Sequence, residues 1–473
     1  MSKGPSLVWY RRDLRVWDHS GLRAACDKGG PVFPFYAWRG EEERIGGASR
    51  VWLNQSLQGL DASLRARGSR LFFFKGPAVK VVTELLDELK PEALFFHECP
   101  EPYQRSIDEE ICMLAKQRGV HVRVFHGETL APSDAYRNGR TGAPYRVYTP
   151  FYKANFTGFM PEPHLPAPTR IPGPPSGQEA YGESIVDLGI CPTHPWTKKI
   201  ESSWTPGEAG ARKLFGTWAS NGVRKYADTR NFLYKGASSQ LSPHLAFGEI
   251  SPREIWNILR GTAGAEPFLR QICWREFARM LLVEFPHTVS RPLSAQWEDF
   301  EWVEDEELLK KWQKGLTGYP IVDAPMRELW ATGWISNRTR MIVGSFLVKD
   351  LRISWLKGAE WFADTLVDAD LANNILGWQW VGGCGADAAP YFRVFNPELQ
   401  SKKFDSNGDY IRKWLPELAK MPVKYIHTPS EAPKMVLKSA GVELGVNYPR
   451  PLVNHYEARK VALQYYEKIK KKD

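Results

Sequence analysis

Five short apolar runs decide the first half of the fold: SLVWY at 6–10, VFPFYAW at 32–38, RLFFF at 70–74, ALFFH at 93–97 and VRVFH at 122–126. None alternates cleanly with polar residues, so each reads as a strand buried on both faces. Helical patterns separate them, as in VWLNQSLQGLDASLRAR at 51–67 and VKVVTELLDEL at 79–89. Such alternation implies an α/β fold built on a mostly parallel, doubly wound sheet with right-handed crossovers. Residues 1–130 are the expected α/β domain. The first strand runs into Arg11-Arg12-Asp13-Leu14-Arg15 rather than a glycine-rich turn. That basic turn either holds an anionic ligand or salt-bridges Asp13.

Outward from this domain the composition changes. Twelve of the 35 prolines fall between 131 and 200, so 131–204 is expected to be a proline-rich connector along the surface. From 205 to 473 the pattern is helical. SPREIWNILRG at 251–261 has a serine N-cap, proline at the first helical position and glycine after the last turn. In the helix over 268–285, Leu269, Cys273, Phe277, Met280 and Leu281 form an apolar face. Another helical apolar face runs from Met326 to Val348.

The 473 residues contain no run of 18 apolar residues, so a membrane span is not expected, and the opening MSKGPSLVWY lacks a signal peptide's apolar region. A cytoplasmic protein is the expectation. Six scattered cysteines form no CxxC pair, which argues against a zinc site or a disulfide framework, and no metal site is expected. Lys and Arg exceed Asp and Glu by 63 to 54, a weak pointer to a polyanionic partner. Of 19 tryptophans, 15 lie after residue 190. Walker A, HExxH and GxSxG motifs are absent. Gly383-Cys384-Gly385-Ala386-Asp387-Ala388 matches GxGxxA formally, but it follows a helical pattern and is read as fortuitous.

The helical half holds a candidate constellation. Gln271, Trp274, Arg275 and Arg279 lie on roughly one face of their helix, away from the apolar stripe. Asn337 and Met341 stand one turn apart, and Asp370, Asn374 and Trp378 recur at i, i+4 and i+8. These groups suit a flat polar ring system, and they also suit ordinary caps and surface pairs. Ser238-Ser239-Gln240-Leu241-Ser242-Pro243 precedes a helix start. Its hydroxyls cap that helix or bind a phosphate, and capping is the safer reading for any one serine.

At these residues the chain resembles the photolyase/cryptochrome flavoprotein family, most of all its class I cyclobutane pyrimidine dimer photolyases. VWYRRDLRVWDHSGL looks like that family's opening strand and turn. SSQLSPHLAFGEIS at 238–251, WREF at 274–277, TGYPIVDAPMREL at 317–329, NRTRM at 337–341 and DADLANNILGWQWVGGCGADAAPYFRVFNP at 368–397 look like its flavin-domain signatures. The resemblance implies an antenna-type domain over 1–130 and a large all-helical FAD-binding domain over 205–473. Tyr226, Ser238, Ser239, Gln240, Leu241 and Ser242 would hold FAD phosphates and ribose. Arg275, Trp334, Asn337, Arg340, Asp368 and Asp370 would line its rings, with Asn374 facing flavin N5. Trp378, Trp355 and Trp302 match the tryptophans that pass an electron to the flavin. In the repair branch, excited reduced FAD donates an electron to a pyrimidine dimer flipped from UV-damaged DNA. Trp274, Trp380 and Met341 would wall the dimer, and Arg230, Arg338 and Arg393 would contact phosphates.

Several positions depart from the family pattern. Gln271 stands where dimer-repair enzymes usually carry glutamate, and its amide donates hydrogen bonds but cannot ionise. Glutamine there keeps a blue-light cryptochrome with little or no repair as the alternative. The histidine pair of (6-4) repair would fall at Ser336 or Asn337 and at Met341, which disfavours that chemistry. Tyr103 and Gln104 replace the asparagine–glutamate pair of folate-binding members. Folate is therefore disfavoured, and a second antenna chromophore has no assigned identity. The expected partner is UV-damaged DNA, and the expected state a monomer.

Overall fold

The computed structural model describes residues 3–470 apart from 133–134, 175–176, 179, 235–237 and 389–392. The chain packs as two compact units. One comprises Met1–Arg224, Ser239–Pro286 and Val367–Ala372; the other comprises Lys225–Ser238, His287–Leu366 and Asn373–Asp473. These units cut across the sequence divisions at 130 and 204, because packing joins segments far apart along the chain.

In the first unit, β1 (Ser6–Trp9), β2 (Val32–Trp38), β3 (Phe72–Lys75), β4 (Ala93–His97) and β5 (His121–Phe125) form one parallel sheet in the order β3-β2-β1-β4-β5. Ser6 aligns with Val32 on one side and with Ala93 on the other. The helices between strands are α1 (Ser20–Lys28), α2 (Gly47–Arg65), α3 (Ala78–Leu89) and α4 (Pro102–Gln117). Leu7, Trp9, Phe33 and Phe35 share a core with Val82, Leu85, Leu86 and Ile111 of α3 and α4. Helix α1 covers the other face at β1 and β4.

β1, β2 and β4 are buried throughout, as their apolar runs predict. The expectation of burial on both faces fails for β5, which is largely exposed. It is an edge strand, and its polar His121 and Arg123 suit an edge that must not recruit another chain.

Two further expectations need correction. The connector does not lie along the surface throughout, because its aromatic residues bury part of it. Helix α5 (Tyr148–Phe156) buries Phe151 and Phe156 and packs on the Glu266–Glu284 helix. The stretch from Met326 to Val348 is two helices, Pro320–Thr332 and Asn337–Ser345, followed by a π-turn over Phe346–Asp350. Gly333 ends the first with φ 71°, and Ser336 caps the second by accepting from the Thr339 N–H at 3.3 Å. Pro252–Leu259 starts as its sequence predicts, with Ser251 Oγ accepting from the Glu254 N–H at 2.9 Å. Gly383 follows the Leu371–Gly382 helix rather than a strand, as expected for a fortuitous motif. The second unit has its own core, in which Tyr410, Ile411, Leu415, Leu418 and Tyr448 pack with Ala324.

Candidate functional site

The arginines of the basic turn after β1 already have partners within the chain. Arg11 makes a bidentate contact with Asp108 at 2.6 and 3.0 Å and lies over the Trp9 ring at 4.3 Å. Arg12 pairs with Glu101 at 3.2 Å, and Arg15 donates to the carbonyls of Gly127 and Gly248. Among the described residues, Asp13 makes no ion pair with an arginine side chain, and its Oδ1 accepts from the Arg11 main-chain N–H at 2.7 Å. Its Oδ2 accepts from His97 Nδ1 at 2.6 Å and from His19 Nε2 at 2.9 Å, in full burial. His19 Nδ1 accepts from the Leu22 N–H at 2.9 Å. Both His19 nitrogens are thereby committed, which makes the trio a hydrogen-bond network rather than a metal centre. Sequence reasoning named Asp13 but missed both histidines, which lie on separate elements.

In the same unit, Leu241 rather than a serine occupies the N-cap of the Ser242–Ala246 helix and has no side-chain oxygen to cap it. This corrects the capping reading. Gln240 sits at φ 53°, a left-handed conformation that non-glycine residues enter at a cost. It turns the chain there, and the Ser239 hydroxyl accepts from the Leu241 N–H at 3.4 Å.

The Glu266–Glu284 helix is half-exposed at Gln271 and Trp274 and buried all round from Arg275 to Leu282. Arg275 and Arg279 are therefore not members of surface pairs. Trp274 stacks on Tyr148 with centroids 3.7 Å apart and planes 7° from parallel, so one indole face is covered. Gln271 Nε2 donates to the Pro267 carbonyl at 3.3 Å. Arg275 donates to the carbonyls of Glu128 and Leu245. Burial and the neighbouring Arg279 push its guanidinium down to about 10. Arg279 Nη2 reaches Asp370 Oδ2 at 2.8 Å and Glu128 Oε2 at 3.1 Å. Its Nε and Nη1 are buried with no partner among the described residues. Asp368 is buried close by in sequence. Glu128 belongs to this cluster and carried no signal along the sequence.

In the second unit, Asn337 Nδ2 contacts Met341 Sδ at 3.7 Å, one turn along as the spacing predicts. Arg340 Nε donates to the Ile335 carbonyl at 3.0 Å, and the Trp334 N–H donates to Thr332 Oγ1 at 3.2 Å. Arg338 donates to Asn231 Oδ1 at 3.1 Å and lies over the Phe404 ring at 4.4 Å. Burial and Arg230 lower its pKa. Arg230 itself lies over Tyr226 at 5.6 Å.

On the Leu371–Gly382 helix, Asn374 Nδ2 donates to the Ala359 carbonyl at 2.9 Å. Trp378 is wedged edge-on between Phe362 at 5.0 Å and Trp312 at 6.2 Å. Trp380 Nε1 donates to the Asp387 carbonyl at 3.1 Å. Trp355 is buried at the start of its own helix, and Trp302 is half-buried against Phe300 at 4.4 Å. Ser238 is half-buried and Arg393 is exposed. Ser336, at one of the positions named for a (6-4) histidine, instead caps the Asn337–Ser345 helix.

No helix among the described residues is long and apolar enough to cross a membrane. Residues 6–170 match a family model described as DNA photolyase, and residues 268–468 one described as the FAD binding domain of DNA photolyase. A deoxyribodipyrimidine photo-lyase of Agrobacterium fabrum is 43% identical, over 100% of this chain and 99% of that protein. Cryptochrome-1 of Arabidopsis thaliana is 37% identical, over 97% of this chain and 69% of that protein. The crystal structure of a bacterial class III photolyase from Agrobacterium tumefaciens matches with a TM-score of 0.95 at 42% identity, over 100% of this chain and 98% of that one. That description is class III, whereas the motifs had pointed to class I.

Proposed function

The chain belongs to the DNA photolyase and cryptochrome family, and on that premise we propose that it repairs cyclobutane pyrimidine dimers in UV-damaged DNA under blue light. The domains in this reading are an antenna-type domain over 1–130, a connector over 131–204 and an FAD-binding domain over 205–473. The donor set fits FAD. Among the described residues, two buried guanidinium nitrogens of Arg279, Nε and Nη1, have no partner beside Asp370, which is a demand for an acceptor. The left-handed turn at Gln240 lies within 238–242, the segment that this reading gives to the phosphates and ribose. FAD in its reduced form supplies, on absorbing light, the electron that opens the dimer's cyclobutane ring.

The chain's own residues do the rest. Asn374 is the observation that carries the reading. Its NH2 is anchored on the Ala359 carbonyl, so the group it offers is the carbonyl Oδ1, an acceptor matched to the N–H of a reduced flavin. Tyr226, Ser238, Ser239, Gln240, Leu241 and Ser242 hold phosphates and ribose, and Arg275, Trp334, Asn337, Arg340, Asp368 and Asp370 line the rings. Trp302, Trp355 and Trp378 carry an electron inward from the surface. Trp274 and Trp380 bind the dimer with Met341 while excluding water, and Arg230, Arg338 and Arg393 hold phosphates of the same strand. Because Tyr148 covers one face of Trp274, only the other face or the edge meets the lesion.

One observation favours the cryptochrome reading. The Gln271 amide is taken up by the Pro267 carbonyl, and its carbonyl oxygen offers a dimer no proton. At the position expected for folate, Tyr103 is engaged by Arg39, whose guanidinium lies 4.6 Å from the ring, and folate there is disfavoured. Any other antenna chromophore would appear as absorbance beyond that of FAD. A monomeric cytoplasmic protein completes the proposal. The test is direct: photoreduce the purified protein, add an oligonucleotide with one thymine dimer, illuminate, and follow the return of thymine absorbance. No return with fully reduced FAD rejects repair and leaves the photoreceptor.

A further inference from the structure

Ser345-Phe346-Leu347-Val348-Lys349-Asp350 places a lysine and an aspartate inside an apolar run. The structure winds Phe346–Asp350 as a π-turn, a form often found at functional places, and buries all five residues. Asp350 pairs with His455. Lys349 is 4% exposed, and burial pushes its ammonium down to about 7. A lysine in such a place carries a desolvation cost that a methionine of similar length would avoid. Its Nζ donates to the backbone carbonyl of Arg393. Four residues earlier, Ser345 Oγ accepts from the backbone N–H of Phe395 at 3.2 Å. Two side chains from adjoining turns therefore grip one extended segment at two points, one by its carbonyl and one by its N–H. A cavity lined by Ser345, Lys349, Trp380, Arg393 and Phe395 lies at the same place. The Arg393 side chain itself is exposed.

We infer that Lys349 and Ser345 are positioning residues for DNA: they fix the 393–395 backbone so that Arg393 meets a strand phosphate beside Trp380. The inference rests on the repair reading, which assigns Arg393 and Trp380 to the damaged strand. Its physical content is preorganisation. A segment tethered before binding loses less conformational freedom when the phosphate arrives, so the contact yields more affinity. The tether acts through main-chain groups and therefore requires the donor and the acceptor, not the charge.

Dissociation constants of the FAD-loaded protein for a dimer-containing duplex, measured across a salt series, test it. Arg393→Gln is expected to weaken binding and to reduce the slope of log K against log salt by about 0.9, the share of one phosphate. Lys349→Met is expected to weaken binding about tenfold, the equivalent of one lost hydrogen bond, with the same reduced slope. The double variant should bind no more weakly than Arg393→Gln, and Lys349→Arg should restore most of the loss. A wild-type slope in Lys349→Met, or losses that multiply in the double variant, would overturn the inference. If Lys349→Met does not fold, Ser345→Ala removes only the acceptor for the Phe395 N–H and carries the same expectation. Hydrogen exchange at the Phe395 amide bears on the tether alone: it should quicken in either variant, and unchanged exchange refutes the tether. Wild-type protein with no preference for dimer DNA would instead refute the repair reading.

Discussion

Gly358 stands where the edge of Trp378 needs room. A Cβ built on it would lie 2.1 Å from Trp378 Cη2, 2.4 Å from Cζ3 and 2.6 Å from Cζ2. Carbon atoms in good contact are about 3.5–4.0 Å apart, so Gly358→Ala obliges the indole to move by more than about 1 Å. The ring is rigid, 3% exposed and wedged by Phe362 and Trp312, in a core with no slack. Overpacking of this kind costs about 1–3 kcal/mol, while alanine recovers about 1 kcal/mol over glycine in a helix. Three ring atoms clash at once, so the overpacking cost should lie near the top of that range, about 3 kcal/mol, and the net loss is about 2 kcal/mol. Urea unfolding of the FAD-loaded protein reads it as a lower midpoint at unchanged slope. Gly216, exposed in the Glu208–Asn221 helix with nothing within 4 Å of its Cβ position, is the control. Gly216→Ala should stabilise by up to about 1 kcal/mol. Flavin photoreduction should slow in Gly358→Ala alone, because Trp378 is displaced. A variant as stable as wild type refutes the packing argument. A destabilised variant with normal photoreduction refutes the role given to Trp378.

Other consequences follow from buried charge. Burial holds His97 down to about 3 and also lowers His19, whereas an unfolded histidine titrates near its ordinary value of about 6.5. Below 6.5 the unfolded chain binds protons that the folded chain refuses. Asp13, held well below its ordinary value despite burial by His19 and His97, adds a loss of the same sign at lower pH. Stability to urea should therefore fall as pH drops from about 6.5 towards 3, and His97→Asn should flatten that fall. Arg279→Met removes the buried cation that bridges Glu128 and Asp370, and a cost of about 3–5 kcal/mol with loss of bound FAD is expected from thermal melts and flavin absorbance. Arg279→Lys should not rescue it, because a single ammonium cannot reproduce the fork. Gln271→Glu should raise the yield of dimer repair per absorbed photon, and an unchanged yield would remove Gln271 from the lesion contacts.

Much of this molecule was legible before its structure. Strand runs at 6–10, 32–38 and 93–97 and the cap at Ser251 follow from patterns only a few residues long, where local preference and tertiary packing agree. Motifs from 238 to 397 named a family because their residue types stand in fixed order. What sequence could not decide depends on neighbours distant along the chain. VRVFH reads like its sister strands, but only sheet order shows that β5 lies at an edge. The arginines after β1 read as an anion site until Asp108 and Glu101 come to meet them across α4. Asp13 reads as their partner until His19 and His97 take it. Lys349 drew no reading in the sequence, and only folding brings its Nζ to the Arg393 carbonyl 44 residues away. Periodicity records which way a side chain faces, since that is set by its own backbone. Which charge it meets is set by folding, because a buried ion is tolerated only where the rest of the chain supplies its partner.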